Sequence, residues 1–497
     1  MQKIVVLLLV LVISSYGKDD TKLLNKVIKL TYNLNLDEAE KILLNWSPEN
    51  TIEQAEKYYN LTRIEFLKYL GTADSATYLK FESYSDSALI FAAGAQNMEV
   101  SAYLAYYLEG TVYTMRAFTQ SRKNSTIKAF LNSSDAVSAF EESIELNEEF
   151  YDSYQGLGLF SYALSYVPGI YNIALSLTGL SSDKKKGLDY LRLAWEKGSY
   201  DRPDAGFNLA KIYMDYVAEY DSSEVIYKEL LKQFPGNVLY AYQYAILKFR
   251  TGKYKESLNL LDDVIKRNHP YFKQTTAYAY FLKGDIYLNI GEYEKGLENY
   301  EIFLNRTLNI DYLGIANYRA AVCARLIEES AKMNKHLMLS GNGNPELAED
   351  KFAAEKGNYL LKNGFSETEL NLQKIETQLY LRKYQSAYKE LHNMVDSADY
   401  DQSQEALVFY YASKTAFELR DYGMAEKYAK KAIDADKNLD MWVVTGSYLI
   451  LAEIYIYAGR SEMAIDFLEN AEDENSYQKS EIFESEINSL KRRLGVL

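Results

Sequence analysis

The sequence predicts an all-α fold, a solenoid of helical repeats, and two observations favour it. The chain contains only 6 prolines in 497 residues, while 48% of its residues are apolar and 14% are aromatic. Proline interrupts helices, so its scarcity is typical of one helix following another. Aromatic and small residues also recur in a fixed order at intervals of roughly 34 to 39 residues, which indicates stacked helix-turn-helix units.

Composition and charge exclude several function classes. The 55 Lys and Arg residues against 70 Asp and Glu residues give a net charge of −15, so we expect no nucleic-acid partner, because such binding depends on cationic contacts to phosphate. The single cysteine, Cys323, excludes an internal disulfide and a cysteine-based metal cluster. It lies in an apolar helical run and is predicted to be a buried side chain. The three histidines are far apart, and no cluster of residues indicates a metal, a cofactor or catalysis.

Residues 1–17 have the pattern of a secretory signal peptide. Lys3 precedes ten consecutive apolar residues, and small residues at Ser15 and Gly17 precede a polar segment. Ten residues are too few to span a bilayer core of about 30 Å, so we expect cleavage and a mature chain without a transmembrane segment. Export without disulfides favours the periplasm of a Gram-negative bacterium. Glycosylation-type triplets such as Asn60-Leu61-Thr62 leave a eukaryotic secretory pathway open.

The N-terminal part of the chain is predicted to be helical but irregular. Residues 52–120 carry long helical patterns without clear repeats, and the repeat order returns over residues 136–161. An apolar stretch at residues 162–180 then interrupts the array. It is expected to fold back and plug the superhelix, or else to present an apolar lip to a partner or membrane. Asp183 is a predicted N-cap for a helix at residues 185–197.

The best-defined repeat alternates large and small residues around a turn glycine. In order, its residues are Tyr280, Lys283, Gly284, Tyr287, Gly291, Tyr293, Gly296, Tyr300 and Phe303. Gly284 and Gly296 would let two antiparallel helices approach closely, and Gly291 would end the first helix. The pattern resembles the tetratricopeptide repeat, a likeness that implies a protein-binding superhelix without catalytic residues.

The second helix of each repeat is predicted to open at an aromatic residue or its equivalent. These openings are Tyr220, Tyr254, Tyr293, Tyr384, Tyr422 and Ser461. A turn cluster from Gly341 to Pro345 lies between two helical runs that are too long for standard repeats. We therefore predict a signal peptide at 1–17, an N-terminal superhelix at 18–340 and a C-terminal array with a capping helix at 341–497.

A second set of residues is more particular than a generic repeat. The segments are Gly156-Leu157-Gly158-Leu159-Phe160, Pro168-Gly169, Asp183, Gly187-Leu188 and Leu191. They resemble a group of exported bacterial tetratricopeptide proteins that are distantly similar to a eukaryotic family associated with the mitochondrial outer membrane and aggregate clearance. The likeness covers about residues 98–310. The partners of the eukaryotic proteins are not carried over, because this chain has an export signal.

The candidate site is a concave groove lined by the first helices of the repeats. Its predicted residues are Tyr242, Arg250, Phe281, Asp285, Asn289, Tyr410, Lys414, Glu453 and Tyr457. Aromatic anchors among charges of both signs suit an extended peptide or a partner helix. The alternative is a solvated inner face without a ligand.

The predicted function is a non-catalytic scaffold or adaptor of the cell envelope that binds a protein or peptide and uses no cofactor. The alternative is an exported glycan or small-ligand binding module, since helical repeats also form outer-membrane nutrient-capture proteins. Those proteins usually carry a lipid-anchored cysteine and tryptophan-rich platforms, whereas this chain has 3 Trp residues. The acidic tail at residues 469–486 gives the last repeat a polar outer face, so we expect a monomer.

Overall fold

The computed structural model describes residues 18–98, 101–165, 183–435, 437 and 439–496. Within these ranges there are 24 α-helices and no strand, which confirms the all-α prediction. The predicted signal peptide at 1–17 and most of the apolar stretch at 162–180 lie outside the described residues.

The helices follow one another along the whole described chain. Up to residue 233 they are α1 Lys18–Tyr32, α2 Leu36–Asn45, α3 Thr51–Thr72, α4 Ser75–Ala95, α5 Ala102–Arg122, α6 Thr126–Leu146, α7 Ser153–Leu164, α8 Lys184–Lys197, α9 Arg202–Ile212 and α10 Tyr220–Gln233. A π-helical turn, Tyr213–Val217, continues α9.

The remaining helices have more uniform lengths. They are α11 Val238–Arg250, α12 Tyr254–Arg267, α13 Lys273–Asn289, α14 Tyr293–Arg306, α15 Leu313–Leu326, α16 Ser330–Leu339, α17 Ala348–Asn363, α18 Glu367–Tyr380, α19 Tyr384–Ser397, α20 Glu405–Glu418, α21 Tyr422–Asp434, α22 Trp442–Tyr457, α23 Ser461–Asp473 and α24 Ser480–Arg493. Short 3-10 helices lie at Ser340–Asn342 and Gln402–Gln404.

The chain forms two compact units. The first unit comprises Met1–Lys211, Glu224–Tyr240 and Pro270–Phe272, and the second comprises Ile212–Ser223, Ala241–His269 and Lys273–Leu497. The predicted domain boundary near Gly341 therefore falls inside the second unit.

The first unit is built on long helices. Four successive helices, α3 to α6, have 21 or 22 residues each. Their core contains Tyr59, Phe81, Tyr107 and Phe140, all buried. Helices this long shift the spacing between equivalent residues, which explains why residues 52–120 show no regular repeat in the sequence.

The helix openings in the repeats are those that the sequence predicts. The helices α10, α12, α14, α19, α21 and α23 begin at Tyr220, Tyr254, Tyr293, Tyr384, Tyr422 and Ser461. The predicted helix at 185–197 is α8, and the Asp183 side chain accepts a hydrogen bond of 2.9 Å from the Lys186 amide, as an N-cap does.

Close helix packing explains the small residues of the best-defined repeat. A Cβ atom at Gly284 would lie 2.6 Å from the Tyr300 ring, and one at Gly296 would lie 3.0 Å from the Cys323 sulfur. Gly291 has a φ of +81°, the left-handed conformation in which glycine is favoured. The predicted roles of these three glycines are confirmed.

The turn cluster at residues 341–345 is tied to its neighbours by one carboxylate. Asp350 accepts hydrogen bonds from the backbone amides of Tyr312 at 2.9 Å, Ile315 at 2.8 Å and Asn344 at 2.8 Å. Because the Asp350 side chain is buried, these bonds replace its water shell. The turn is thus a bonded connection between α15 and α17 within the second unit.

Among the described residues, no helix combines the length and the apolar character that a membrane crossing requires.

Candidate functional site

All nine predicted groove residues belong to the second unit. They lie on α11, α13, α20 and α22, each of which is the first helix of a helix pair. The structure gathers most of them into two clusters, one around Asp285 and one around Lys414.

The first cluster centres on a partly buried ion pair. Asp285 accepts hydrogen bonds from the Tyr300 hydroxyl at 2.6 Å and from Arg319 Nη1 at 2.7 Å. Burial raises the pKa of Asp285, and the Arg319 guanidinium opposes that rise. The same guanidinium lies 5.5 Å from the centroid of the Phe281 ring. Phe281 also packs on Tyr312, with 5.5 Å between ring centroids, so it contributes to the core of the second unit.

Three further predicted residues lie on α11 and α13. Tyr242 is half-buried, and burial raises the pKa of its hydroxyl. Asn289 donates a hydrogen bond of 2.8 Å to the carbonyl of Asp285 in its own helix. Arg250 forms an ion pair of 2.9 Å with Asp215 and donates to the Met214 carbonyl at 3.2 Å. Asn289 and Arg250 therefore have partners within the chain.

The second cluster combines one buried and one exposed tyrosine. Tyr410 is buried, and its ring meets Trp442 edge-on at 5.0 Å. Tyr457 is 59% exposed and stacks on Tyr422 at 5.7 Å between centroids. Of these two, only Tyr457 presents most of its ring to solvent, so it is the aromatic side chain that a partner can reach.

The charged side chains of the second cluster change each other's pKa values. The nearby Tyr410 hydroxyl, with a further contribution from Glu486, raises the pKa of Lys414 to about 12 against the effect of burial. Burial raises the pKa of Glu453 to about 7, and the neighbouring Glu486 adds to this rise. Glu453 is consequently a carboxyl group that titrates near neutral pH.

Sequence reasoning missed the contribution of α24 to this cluster. Glu486 of α24 lies within electrostatic range of Lys414, and the Arg493 guanidinium lies 5.9 Å from the Tyr457 ring centroid. The acidic tail was predicted to provide only a polar outer face. The apolar residues Ile487 and Leu490, which follow that tail and lie three apart on one face of α24, were the signal that this helix packs inward.

A buried polar cluster in the first unit was also missed. Arg63 forms hydrogen-bonded ion pairs with Asp201 and Asp204. The hydroxyls of Tyr59 and Tyr107 donate to Asp201. Every polar group has a partner, and the arginine and Asp201 are almost fully buried, so this cluster joins distant helices instead of offering a site.

Cys323 and His336 are both buried side chains. Cys323 is fully buried, and burial raises the pKa of its thiol, so it is the buried side chain that the sequence predicts. Burial lowers the pKa of His336, whose Nδ1 lies 2.9 Å from the Asn317 side-chain oxygen. Across the described ranges, no group of three or more His, Cys, Asp or Glu side chains could hold a metal ion.

A cavity of about 300 Å³ lies in the first unit, away from the predicted residues. Leu157 and Phe160 contribute apolar surface to it, Tyr154 and Tyr190 contribute rings, and Glu141 is one of its acidic residues.

No protein-family model and no curated protein matches this sequence. Solved structures with some likeness include the TPR2AB domain of yeast Sti1 in complex with pHSP90, at 16% identity and a TM-score of 0.23, covering 60% of this chain and 100% of that one. The TPR domain of P58(IPK) has 12% identity and a TM-score of 0.21, covering 76% and 98%. IFIT1 bound to Gppp-AAAA has 14% identity and a TM-score of 0.37, covering 92% and 96%.

At TM-scores this low, these likenesses carry no conclusion about function. The fold rests on the helices themselves, on their paired lengths and on the small residues at their crossings. The chain is an all-α protein of helical repeats, whose residue pattern resembles the tetratricopeptide repeat.

Proposed function

We propose that the chain is a non-catalytic scaffold of the cell envelope that binds a protein or peptide on the inner surface of the second unit. The observation that carries this proposal is the second cluster, in which the exposed Tyr457 ring lies in the same cluster as Lys414 and Glu453. An aromatic anchor among charges of both signs is the composition of a protein-binding surface.

Each member of the cluster has a distinct role in this proposal. Tyr457 supplies apolar contact area at low entropic cost, because its ring is already stacked on Tyr422. Lys414 attracts a carboxylate of the partner. Glu453, with its pKa near 7, can donate or accept a hydrogen bond at neutral pH.

The proposed location depends on the signal sequence. We expect the processed protein to begin at Lys18 and to be recovered from the periplasm as a monomer. Leu8→Arg would interrupt the apolar run and leave an unprocessed chain in the cytoplasm. Mass spectrometry of the N-terminus in each cell fraction tests this, and an uncleaved wild-type chain in the cytoplasm would contradict it.

In-cell photocrosslinking tests the binding surface. A photoreactive amino acid at position 457 of the tagged protein, in its native host, should capture one dominant envelope protein. The same amino acid at position 427, an exposed residue of α21, should not. We choose position 457 instead of Tyr410 or Phe281 because those two residues pack in the interior.

A charge reversal provides the matched control. Lys414→Glu should reduce the captured product by about tenfold, as expected from losing a charge contact worth about 1.4 kcal/mol. Lys427→Glu makes the same charge change on α21 and should leave capture unchanged. Equal capture in both variants, or only scattered abundant proteins, would overturn the scaffold proposal. Calorimetry with oligosaccharides would then test the glycan-binding alternative.

A further inference from the structure

The C-terminal helix α24 is held on two sides. One side buries Phe483, Ile487 and Leu490 against the core of the C-terminal helix pairs. The Phe483 ring lies 6.4 Å from the Trp442 ring. Apolar residues at positions i, i+4 and i+7 are those that an amphipathic helix places in a groove.

The other side of α24 is held by polar contacts to the π-helical turn at Tyr213–Val217. Ser485 Oγ donates to the Met214 carbonyl at 3.5 Å, and Asn488 Nδ2 donates to the Tyr216 carbonyl at 3.3 Å. Such side-chain contacts can be exchanged for hydrogen bonds to water when the helix leaves.

The residue that immediately precedes α24 is under strain. Lys479 has a φ of +69°, a left-handed conformation that is unfavourable for a non-glycine residue. Its ammonium group lies 3.3 Å from the Trp442 ring centroid, and burial lowers its pKa to about 8. If α24 left its site, the Lys479 backbone would return to a favoured conformation and the Lys479 ammonium group would be hydrated.

The polar residues of α24 meet the proposed binding surface. Glu486 lies within electrostatic range of Lys414 and Lys479. The Arg493 guanidinium lies 5.9 Å from the Tyr457 ring centroid, and the Tyr457 side chain remains 59% exposed. In the free chain α24 therefore borders the surface to which we assign the partner.

We propose that α24 is an intramolecular ligand, and that the partner presents an acidic amphipathic helix which displaces it. This proposal rests on the proposed function. The partner helix should carry apolar residues at i, i+4 and i+7 and a carboxylate at i+3, the positions of Phe483, Ile487, Leu490 and Glu486 in α24. The carboxylate complements Lys414, while the apolar residues fill the space beside Trp442.

A labelled peptide of residues 477–496 serves as the probe for this surface. It is titrated against the full chain and against a loosened full chain with Ser485→Ala and Asn488→Ala, which removes the polar contacts to the π-helical turn. We expect the loosened chain to bind the peptide at least tenfold more tightly than the wild type does. Ser489→Ala, on the same helix, is the matched control and should behave as the wild type.

A charge exchange tests whether position 486 of the peptide contacts Lys414 of the chain. In the loosened chain, Lys414→Glu should weaken peptide binding by about tenfold, and a peptide with Glu486→Lys should restore it. Equal binding to the wild-type and loosened chains, or no binding to a loosened chain that keeps its helical circular dichroism, overturns the proposal. If the loosened chain fails to fold, Arg492→Ala replaces it, because this arginine forms the 3.8 Å ion pair with Glu219.

The peptide experiment and the crosslinking experiment test different proposals, so either one can fail while the other succeeds. If the peptide binds as expected but no envelope protein is captured, the proposed function is overturned and the proposal that α24 can be displaced still stands. A captured partner with equal peptide binding to both chains would support the scaffold and overturn the role of α24.

Discussion

The guanidinium of Arg63 is buried between two carboxylates, and this arrangement makes it sensitive to substitution. In Arg63→Ala, Asp201 would lose its ion-pair partner in a site where its side chain is 1% exposed. Breaking a buried pair in this way typically costs about 3–5 kcal/mol. We expect a loss of that size in the free energy of unfolding, measured by urea titration.

An exposed arginine provides the control for that substitution. Arg192 pairs with Asp189 at 3.0 Å, and both side chains are at least 41% exposed. Arg192→Ala should change stability by less than about 0.5 kcal/mol, because exposed pairs contribute little. Equal effects of the two substitutions would show that the Arg63 cluster does not support the first unit.

Glu453 should make the stability of the second unit depend on pH. Its pKa is raised to about 7 in the folded chain, so between about pH 4.5 and 7 the folded state binds more protons than the unfolded state. Stability contributed by this group therefore falls as the pH rises through that window. Glu453→Gln removes the titration, so the variant should gain about 1 kcal/mol over the wild type at pH 7.5 relative to pH 4.5, after allowance for solvent screening.

Thermal unfolding at the two pH values measures that difference. Glu462→Gln is a suitable control, since this exposed glutamate lies on α23 and is not among the groups that shift the Glu453 pKa. The same gain in both variants would contradict the assignment to Glu453.

At the scale of the helix, the surroundings of two glycines predict opposite effects on stability when each is replaced by alanine. Gly284→Ala would place a Cβ atom 2.6 Å from the buried Tyr300 ring, and overpacking of this kind costs about 1–3 kcal/mol. Gly423, near the start of α21, has no neighbouring atom closer than 4.0 Å to such a Cβ. Gly423→Ala should stabilise the protein by about 0.5–1 kcal/mol, since it lowers the entropy of the unfolded chain. Urea titration of both variants tests these two predictions. Destabilisation by Gly423→Ala would contradict the second.

The helix openings were predictable, whereas the partners of the last helix were not. The openings at Tyr254 and Tyr293 depend on local turn residues and on contacts within one helix pair. The position of α24 depends on contacts such as that of Asn488 with Tyr216, which are 272 residues apart. No local pattern specifies a contact at that distance.

For the whole molecule, the net charge of −15 predicts weak affinity for polyanions. We expect single-stranded RNA to show no binding to the protein at micromolar concentrations in about 0.15 M salt. Fluorescence anisotropy with a labelled RNA measures this. Salt-sensitive binding would show that the lysines and arginines are concentrated on one surface.

The sequence by itself determined the fold class, the helix openings and the glycines at helix crossings. These features follow from periodicity and from residue size within one helix pair, so they can be predicted without knowing the distant contacts. Only the tertiary structure decided which buried charges meet. Arg63 finds Asp201 at a separation of 138 residues, and Tyr410 becomes an interior residue because Trp442 packs against it. Burial and charge pairing depend on the arrangement of all the helices in a unit, so they arise only when that unit has folded.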